Sequence, residues 1–138
     1  MADPISVTSA LLTLVGFALQ SSTVLYQTVR SFQTSRRTIR ELKEELESLS
    51  GVLQSLHDAA ETTNADFTAL KLPVLQCGKA CTDFEALIVK CTQHSSGTRS
   101  SFRDWTKLKY MGDDITTFKN MLSGYKSTII IALGDANL

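Results

Sequence analysis

The sequence predicts an all-α protein, a bundle of four to five mostly antiparallel helices with a largely enclosed apolar helix at its N-terminus. Two observations carry this prediction. Apolar residues recur at spacings of three and four through three long segments, a period typical of one helix face. Before them, residues 4–29 carry no charge at all. The linkers between these segments are short, so consecutive helices are expected to run antiparallel.

The first helix is predicted over residues 4–31. Asp3 is a candidate N-cap, and Pro4 suits the first helical position. As a helix, the uncharged segment 4–29 would span roughly 39 Å, more than the about 30 Å of bilayer hydrocarbon. Its many hydroxyl side chains dilute that apolar character. Two interpretations therefore stay open: a helix packed in the bundle, which periodicity and length favour, and a constitutive membrane anchor.

The second helix, over residues 36–60, has an unbroken apolar seam. The seam consists of Ile39, Leu42, Leu46, Leu49, Leu53 and Leu56. Strands cannot produce this alternation of spacings, and the seam must be buried against other helices.

The third and last helices repeat this spacing of apolar residues at intervals of three and four. The third contains Val74, Cys77, Cys81, Phe84, Ile88 and Cys91, with Pro73 either in a first turn that begins near Asp66 or at a kink. A loop at residues 94–98 and a short helix at residues 102–110 lead to the last helix, residues 113–134. Its seam is Ile115, Phe118, Leu122, Tyr125 and Ile129. The core is predicted to include Leu42, Leu46, Leu49, Leu53, Cys77, Cys81, Phe84, Ile88, Phe118 and Leu122.

The composition describes one domain, residues 1–138. With 43% hydrophobic residues, the chain can bury a core without disulfides or metals. Its formal net charge of zero gives no indication of nucleic-acid binding. The odd number of cysteines, three, and the lack of a basic region before the apolar segment indicate a reducing compartment, which we expect to be the cytoplasm.

No residue pattern indicates catalysis, so the chain is predicted not to be an enzyme and to need neither a cofactor nor a small-molecule substrate. Cys77 and Cys81 share a helix face, but zinc needs about four ligands, and neither His57 nor His94 stands at a ligand spacing. The two cysteines are interpreted as core residues, with metal or redox chemistry as the alternative. Residues 124–127 resemble the end of a phosphate-binding loop, yet the first glycine and the preceding strand are missing.

Basic residues follow the uncharged segment directly. Arg30, Arg36, Arg37 and Arg40 are candidates for contact with anionic headgroups, each contributing about 1 kcal/mol near a membrane surface. The alternative is a solvated helix face, since glutamates interleave with the arginines.

Three landmarks carry a resemblance to a known family. They are Met1-Ala2-Asp3-Pro4-Ile5-Ser6-Val7 with the apolar run behind it, the stretch from Ile39 to Leu49, and the stretch from Tyr125 to Leu133. In this order and spacing, over nearly the whole chain, they resemble fungal HeLo-like N-terminal domains, which are related to HeLo cell-death domains.

The resemblance implies a cytosolic helical bundle at the N-terminus of a longer, NLR-type fungal immune receptor. It further implies an effector of programmed cell death that oligomerises, relocates to the plasma membrane and perturbs it by pore formation, as in heterokaryon incompatibility. The implied partners are anionic membrane lipids, further copies of the chain and other domains of the same chain. The alternative is a non-lytic interaction or oligomerisation module.

In this family the N-terminal apolar helix is the membrane-active element. The residues expected to insert here are Ile5, Val7, Leu11, Leu12, Leu14, Val15, Phe17, Leu19, Val24 and Leu25.

Overall fold

A computed structural model describes residues 4–31, 37–92 and 112–136, with side chains described for residues 9–31, 37–90 and 114–136. This part of the chain is helical and contains no strand, so the predicted all-α bundle is confirmed. Its elements are α1 (Pro4–Arg30), α2 (Arg37–Thr62), a 3₁₀ helix (Thr68–Leu70), α3 (Lys71–Thr92) and α4 (Gly112–Ala136). The predicted N-cap Asp3, the loop at 94–98 and the short helix at 102–110 lie outside the described residues.

The apolar seam of α2 is buried along its whole length. Its members are Ile39, Leu42, Leu46, Leu49, Leu53, Leu56 and Ala60. The helix runs two residues beyond the predicted end, to Thr62. There the hydroxyls of Thr62 and Thr63 donate to the carbonyls of Asp58 and Ala59, and the Ala59 carbonyl also accepts the backbone N–H of Thr63.

The start of α3 settles the role of Pro73. The backbone N–H and hydroxyl of Thr68 both donate to the Asp66 carboxylate, and the chain then forms the 3₁₀ helix before α3 begins at Lys71. These hydrogen bonds lower the pKa of Asp66. Pro73 therefore lies in the first helical turn, where a missing N–H costs nothing, and α3 has no break.

The four helices run up, down, up and down at the corners of a square. Tyr26 of α1 reaches Glu47 of α2, and the rings of Phe84 (α3) and Phe118 (α4) stack at 4.1 Å between centroids. Each of α1 and α4 packs on both α2 and α3, and the α3–α4 edge is the least extensive. Neither diagonal pair, α1 with α4 or α2 with α3, forms an extensive contact in the described part.

The N-terminal helix α1 is partly buried. As a corner helix it turns one face to the core, where Leu11, Val15, Ala18, Leu25 and Val29 are at most 2% exposed. Its other face is open to solvent. Of the two interpretations of this segment, the structure shows the packed helix.

Replacing Leu46 of the α2 seam by Asp should unfold the domain. Leu46 is fully buried, and an unpaired carboxylate there would cost several kcal/mol, a large part of the stability of a typical domain. Ser55→Asp, at an exposed position of the same helix, is the matched control and should leave the thermal transition in place. A normal melting curve for Leu46→Asp, recorded by circular dichroism, would contradict a buried seam.

Candidate functional site

The outer face of α1 is exposed and carries no charge from residue 9 to residue 27. It consists of Ser9, Thr13, Gly16, Phe17, Gln20, Thr23, Val24 and Gln27. The exposed side of a helix in a soluble bundle ordinarily carries charged residues. Phe17 and Val24 add apolar surface, 36% and 42% exposed. The first charge on this face is Arg30, in the last turn.

By length and composition, α1 is the one helix in the described part that could cross a bilayer. The apolar stretch of sufficient length is Ser9–Arg30, 22 residues, and 33% of its most apolar part is buried in the bundle. A conventional core helix would be mostly buried. The other described α-helices are also long enough and partly exposed, so it is the apolar composition that sets α1 apart from them.

The predicted insertion residues do not share one face of α1. Three of them, Leu11, Val15 and Leu25, point into the core, whereas Phe17 and Val24 are exposed. Leu12, Leu14 and Leu19 are partly buried against the core. The side chains of Ile5 and Val7 lie outside those described. The described insertion candidates therefore lie on the inner side and the flanks of the helix, and the middle of the outer face is a polar, uncharged strip without them. This strip consists of Ser9, Thr13, Gly16, Gln20, Thr23 and Gln27.

Hydroxyl groups tie the inner side of α1 to its neighbours. The Thr82 hydroxyl of α3 donates to Ser21 Oγ at 3.1 Å, and Ser22 Oγ lies 3.3 Å from Ser50 Oγ of α2. Ser22 is fully buried. Such bonds each contribute about 1 kcal/mol net, so hydroxyls that dilute the apolar character of the sequence act as links between helices.

Two further hydrogen bonds hold the C-terminal half of α1. Tyr26 Oη donates to Glu47 Oε1 of α2 at 2.6 Å, and Thr28 Oγ1 donates to Glu85 Oε1 of α3 at 3.1 Å. The first of these raises the pKa of Tyr26, because the carboxylate accepts the phenol proton. Both acceptors are glutamates on neighbouring helices, so α1 is bound through charges that it does not itself carry.

Gly78 allows the close approach of α1 and α3. A Cβ at this position would lie 2.5 Å from the Phe17 ring and 3.3 Å from the Ala18 Cα. The glycine is buried in a helix interior, where it costs about 0.5–1 kcal/mol relative to alanine. Its role was not predicted from the sequence, although a lone glycine within a helical seam was the available signal.

The described arginines among the four that were predicted to contact lipid headgroups do not form a single basic surface patch. Arg30 and Arg40 are exposed. Arg37 is engaged within α2, its Nε lying 2.7 Å from Glu41 Oε1. Arg36 lies outside the described residues. The pairing of Arg37 agrees with the alternative of a solvated face, and Arg30 remains the basic residue next to the uncharged face.

The lysines of α4 face α2. Lys119 Nζ lies 2.6 Å from Glu41 Oε2, and Lys126 Nζ lies 3.0 Å from Glu45 Oε1. Hydrogen bonds from Lys119 and then Arg37 lower the pKa of Glu41. These pairs join the two helices and draw both lysine side chains away from the outer side of α4.

A groove of about 610 Å³ lies between α3 and α4. The stacked Phe84 and Phe118 rings line it, with Leu87, Met121 and Tyr125 beside them. Leu87 and Met121 are 39% and 42% exposed. The groove marks the least tightly packed edge of the bundle.

The two described cysteines are core residues, as predicted. Cys77 and Cys81 are buried free thiols. A hydrogen bond to Cys77 and burial both raise the pKa of Cys81, which keeps this thiol protonated and unreactive. All ten residues predicted for the core seam are buried.

One group with metal-ligand chemistry was missed in the sequence. Ligand atoms of His57, Asp58 and Glu61 lie within 4.8 Å of one another at the end of α2. The signal was their i, i+1 and i+4 spacing. Asp58 and Glu61 are exposed, and such acidic groups are common without a metal. The absence of a metal centre stays a prediction.

Together, these features define a helical bundle domain with one partly exposed helix of membrane-spanning length. A family model described as the pigment biosynthesis cluster protein PigL N-terminal domain matches residues 2–138, and the chain belongs to this family. The match fits the fungal helical domain expected from the sequence. A comparison with curated proteins gave no match. A comparison with solved structures gave none either.

Gly78→Ala should destabilise the domain by about 1–3 kcal/mol, because its methyl group would press on the Phe17 ring and the Ala18 backbone. Gly51→Ala is the matched control. It also lies inside a helix but has no atom within 4 Å of the added Cβ, and it should stabilise by about 0.5–1 kcal/mol. In a Phe17→Ala background, the cost of Gly78→Ala should shrink. Equal stabilisation by both glycine substitutions in urea unfolding would show that α1 and α3 are not in close contact.

The Glu41 contacts should make stability depend on pH in the acid range. The folded-state pKa of Glu41 is lowered. Its ionised carboxylate therefore stabilises the fold above the unfolded-state pKa of about 4.3, and this stabilisation is lost as the pH falls through the folded-state pKa. The difference in unfolding free energy between wild type and Glu41→Gln should therefore shrink on acidification. Urea titrations between neutral and acid pH measure it. Glu44→Gln, on the exposed face of α2, is the control. A constant difference for Glu41→Gln would refute the assignment.

Proposed function

We propose that this domain is a membrane-targeting and membrane-perturbing effector of regulated cell death, activated by oligomerisation, with α1 as its membrane-active element. The observation that carries the proposal is α1 itself. It has membrane-spanning length, an uncharged outer face and only partial burial in the bundle. As a straight helix, its 22-residue span covers about 33 Å, enough for a hydrocarbon core of about 30 Å.

The hydroxyl residues of α1 are compatible with both environments. In the bundle they bond across to α2 and α3. In lipid, serine and threonine can instead satisfy their hydroxyls on carbonyls of their own helix. Thr13 Oγ1 already donates to the Ser9 carbonyl and Ser22 Oγ to the Leu19 carbonyl, both at 3.0 Å. The polar groups of α1 therefore raise the cost of membrane transfer less than their number suggests.

The apolar inner face of α1 ensures that the helix does not leave the bundle for water. Each large side chain such as Leu11, Val15 or Leu25 would lose about 1.5–3 kcal/mol on exposure. A bilayer offers that face an apolar environment again. Clustering at a membrane raises the local concentration of released helices, which is why oligomerisation would act as the trigger.

The wider role rests on the resemblance to HeLo-like domains together with the family match. Under this proposal the domain belongs to a longer fungal immune-type receptor, acts in the cytoplasm and moves to the plasma membrane on activation. Arg30, Arg36, Arg37 and Arg40 would contribute attraction to anionic lipids. The domain would act without enzymatic activity, through its own copies and other domains of its chain.

The decisive test uses charges on the exposed face of α1, where they should leave the fold intact. Gln20→Lys lies near the middle of the span and would cost about 2.5–3.5 kcal/mol in a bilayer. Gln54→Lys, the same change at an exposed position of α2, is the matched control. With the protein clustered on anionic liposomes through a histidine tag and nickel lipids, wild type and Gln54→Lys should release a trapped dye. Gln20→Lys should melt normally yet lose leakage and cell toxicity together.

Full leakage and toxicity from a well-folded Gln20→Lys variant would refute insertion of α1, as would a clustered wild type that never binds lipid. The second candidate, a non-lytic interaction module, would then apply. The groove between α3 and α4 favours it, because exposed Leu87 and Met121 beside stacked aromatic rings suit a partner helix.

A further inference from the structure

The outer face of α4 resembles the outer face of α1 in lacking charge. Between residues 116 and 134 the exposed residues are Thr116, Thr117, Asn120, Met121, Ser123, Gly124, Ser127, Thr128, Ile130, Ile131 and Gly134. Ile130 and Ile131 are 48% and 65% exposed. The two lysines of this segment are paired with α2, so they do not charge the face. By contrast, the exposed faces of α2 and α3 carry charged residues, namely Arg37, Arg40, Glu44, Glu47, Asp58 and Glu61 on α2 and Lys79, Asp83 and Lys90 on α3.

The two neutral faces lie on opposite corners of the bundle, since α1 and α4 occupy one diagonal of the square. The described part of the α1 face, residues 9–27, and the α4 face, residues 116–134, each extend about 27 Å as helices. A protein with two different neutral faces on opposite sides can bind one copy of itself with each.

Charges at the ends of the faces complement one another. The face of α1 ends at Arg30, and the face of α4 has Asp114 before it and Asp135 after it, all three exposed. If residue 18 of α1 is set beside residue 125 of α4, Arg30 lies two residues past Asp135 when the helices are parallel and one residue past Asp114 when they are antiparallel, about 3 Å and about 1.5 Å along the axis. Either orientation pairs opposite charges at the rim and buries no charge at the centre, where an unpaired charge would be costly.

We propose that the domain assembles head to tail, with the outer face of α1 in one copy packed against the outer face of α4 in the next. Such a heterologous contact leaves one free face at each end, so it continues into a ring or a filament. Apolar Phe17 and Val24 would meet Met121, Ile130 and Ile131 across it. The proposal rests on the oligomerisation step of the proposed function, and the non-lytic alternative would use the same contact.

The contact area makes the assembly weak in dilute solution. A strip about 27 Å long and about 10 Å wide, the diameter of a helix, covers far less than the about 800 Å² per partner of a standard stable interface. The domain should therefore assemble when it is concentrated, and another part of a longer chain could provide that concentration.

Cysteine crosslinking in solution, without lipid, tests the contact. Cys91 is replaced by Ser, and the buried Cys77 and Cys81 are kept. Isotope-labelled Gln20→Cys protein is mixed with Ser123→Cys or Ser127→Cys protein under oxidised glutathione, and mass spectrometry identifies the pairs. The proposal predicts about tenfold more crosslinked heterodimer than with Gln54→Cys on α2. Preference for position 123 indicates antiparallel helices, and preference for position 127 indicates parallel ones.

Blocking one face at a time distinguishes head-to-tail from two-fold assembly. Thr23→Lys blocks α1, and Thr128→Lys blocks α4. At high concentration in sedimentation, wild type should form a series of oligomers, whereas each variant alone should associate about tenfold more weakly. Their mixture should form pairs and nothing larger. If either variant alone still dimerises like wild type, or wild type stays monomeric and no crosslink exceeds the α2 control, the proposal is wrong.

The proposed function and this assembly can fail separately. Thr128→Lys lies outside α1, so it weakens assembly without altering the membrane helix. Clustered on nickel-lipid liposomes, it should still cause leakage if α1 inserts. Head-to-tail crosslinks without leakage would support the assembly and refute the membrane role. Leakage without those crosslinks would support the membrane role and refute the head-to-tail assembly.

Discussion

The buried leucine seam of α2 is the interaction on which the rest of the bundle depends. It contacts α1 on one side and α4 on the other, and its leucines are fully buried. Because α2 occupies this position, its hydrophilic side carries the charges that hold its neighbours: Glu47 accepts from Tyr26, and Glu41 and Glu45 pair with the lysines of α4. One helix thus supplies both the apolar contact and the anionic partners for two others.

This distribution of charge explains how α1 can lack charged residues before Arg30 and still be fixed in the bundle. Its hydrogen-bond partners are mainly side chains of other helices, which remain behind if α1 departs. A helix held by its own charged residues would have to carry them into the membrane. Thr28 and Tyr26 illustrate the difference, since each gives up a single hydrogen bond to a glutamate and retains a neutral side chain.

Periodicity was sufficient to predict α2 and α4, because a regular apolar seam has one possible burial direction. The buried positions of Leu46 and Leu122 follow directly from it. It was a weaker guide for α1, because the outer side carries no charge to mark it and the hydroxyls of Ser21 and Ser22 lie on the buried side. The close contact at Gly78 and the Ser22–Ser50 pair depend on which helices become neighbours, information that a local pattern does not contain. The proposed membrane role rests on resemblance and composition, and the uncharged face of α4 was not predicted from the sequence.

The square arrangement has a topological consequence for any release of α1. The helices α2 and α3 share a diagonal and are held apart by the two corner helices between them. Without α1, the side of Ser50 on α2 and the side of Gly78 on α3, both of which contact α1, would border the same empty corner, while α4 still joins the two helices. What stays behind is then a set of three helices with apolar sides turned toward one another, the geometry from which a three-helix bundle can close.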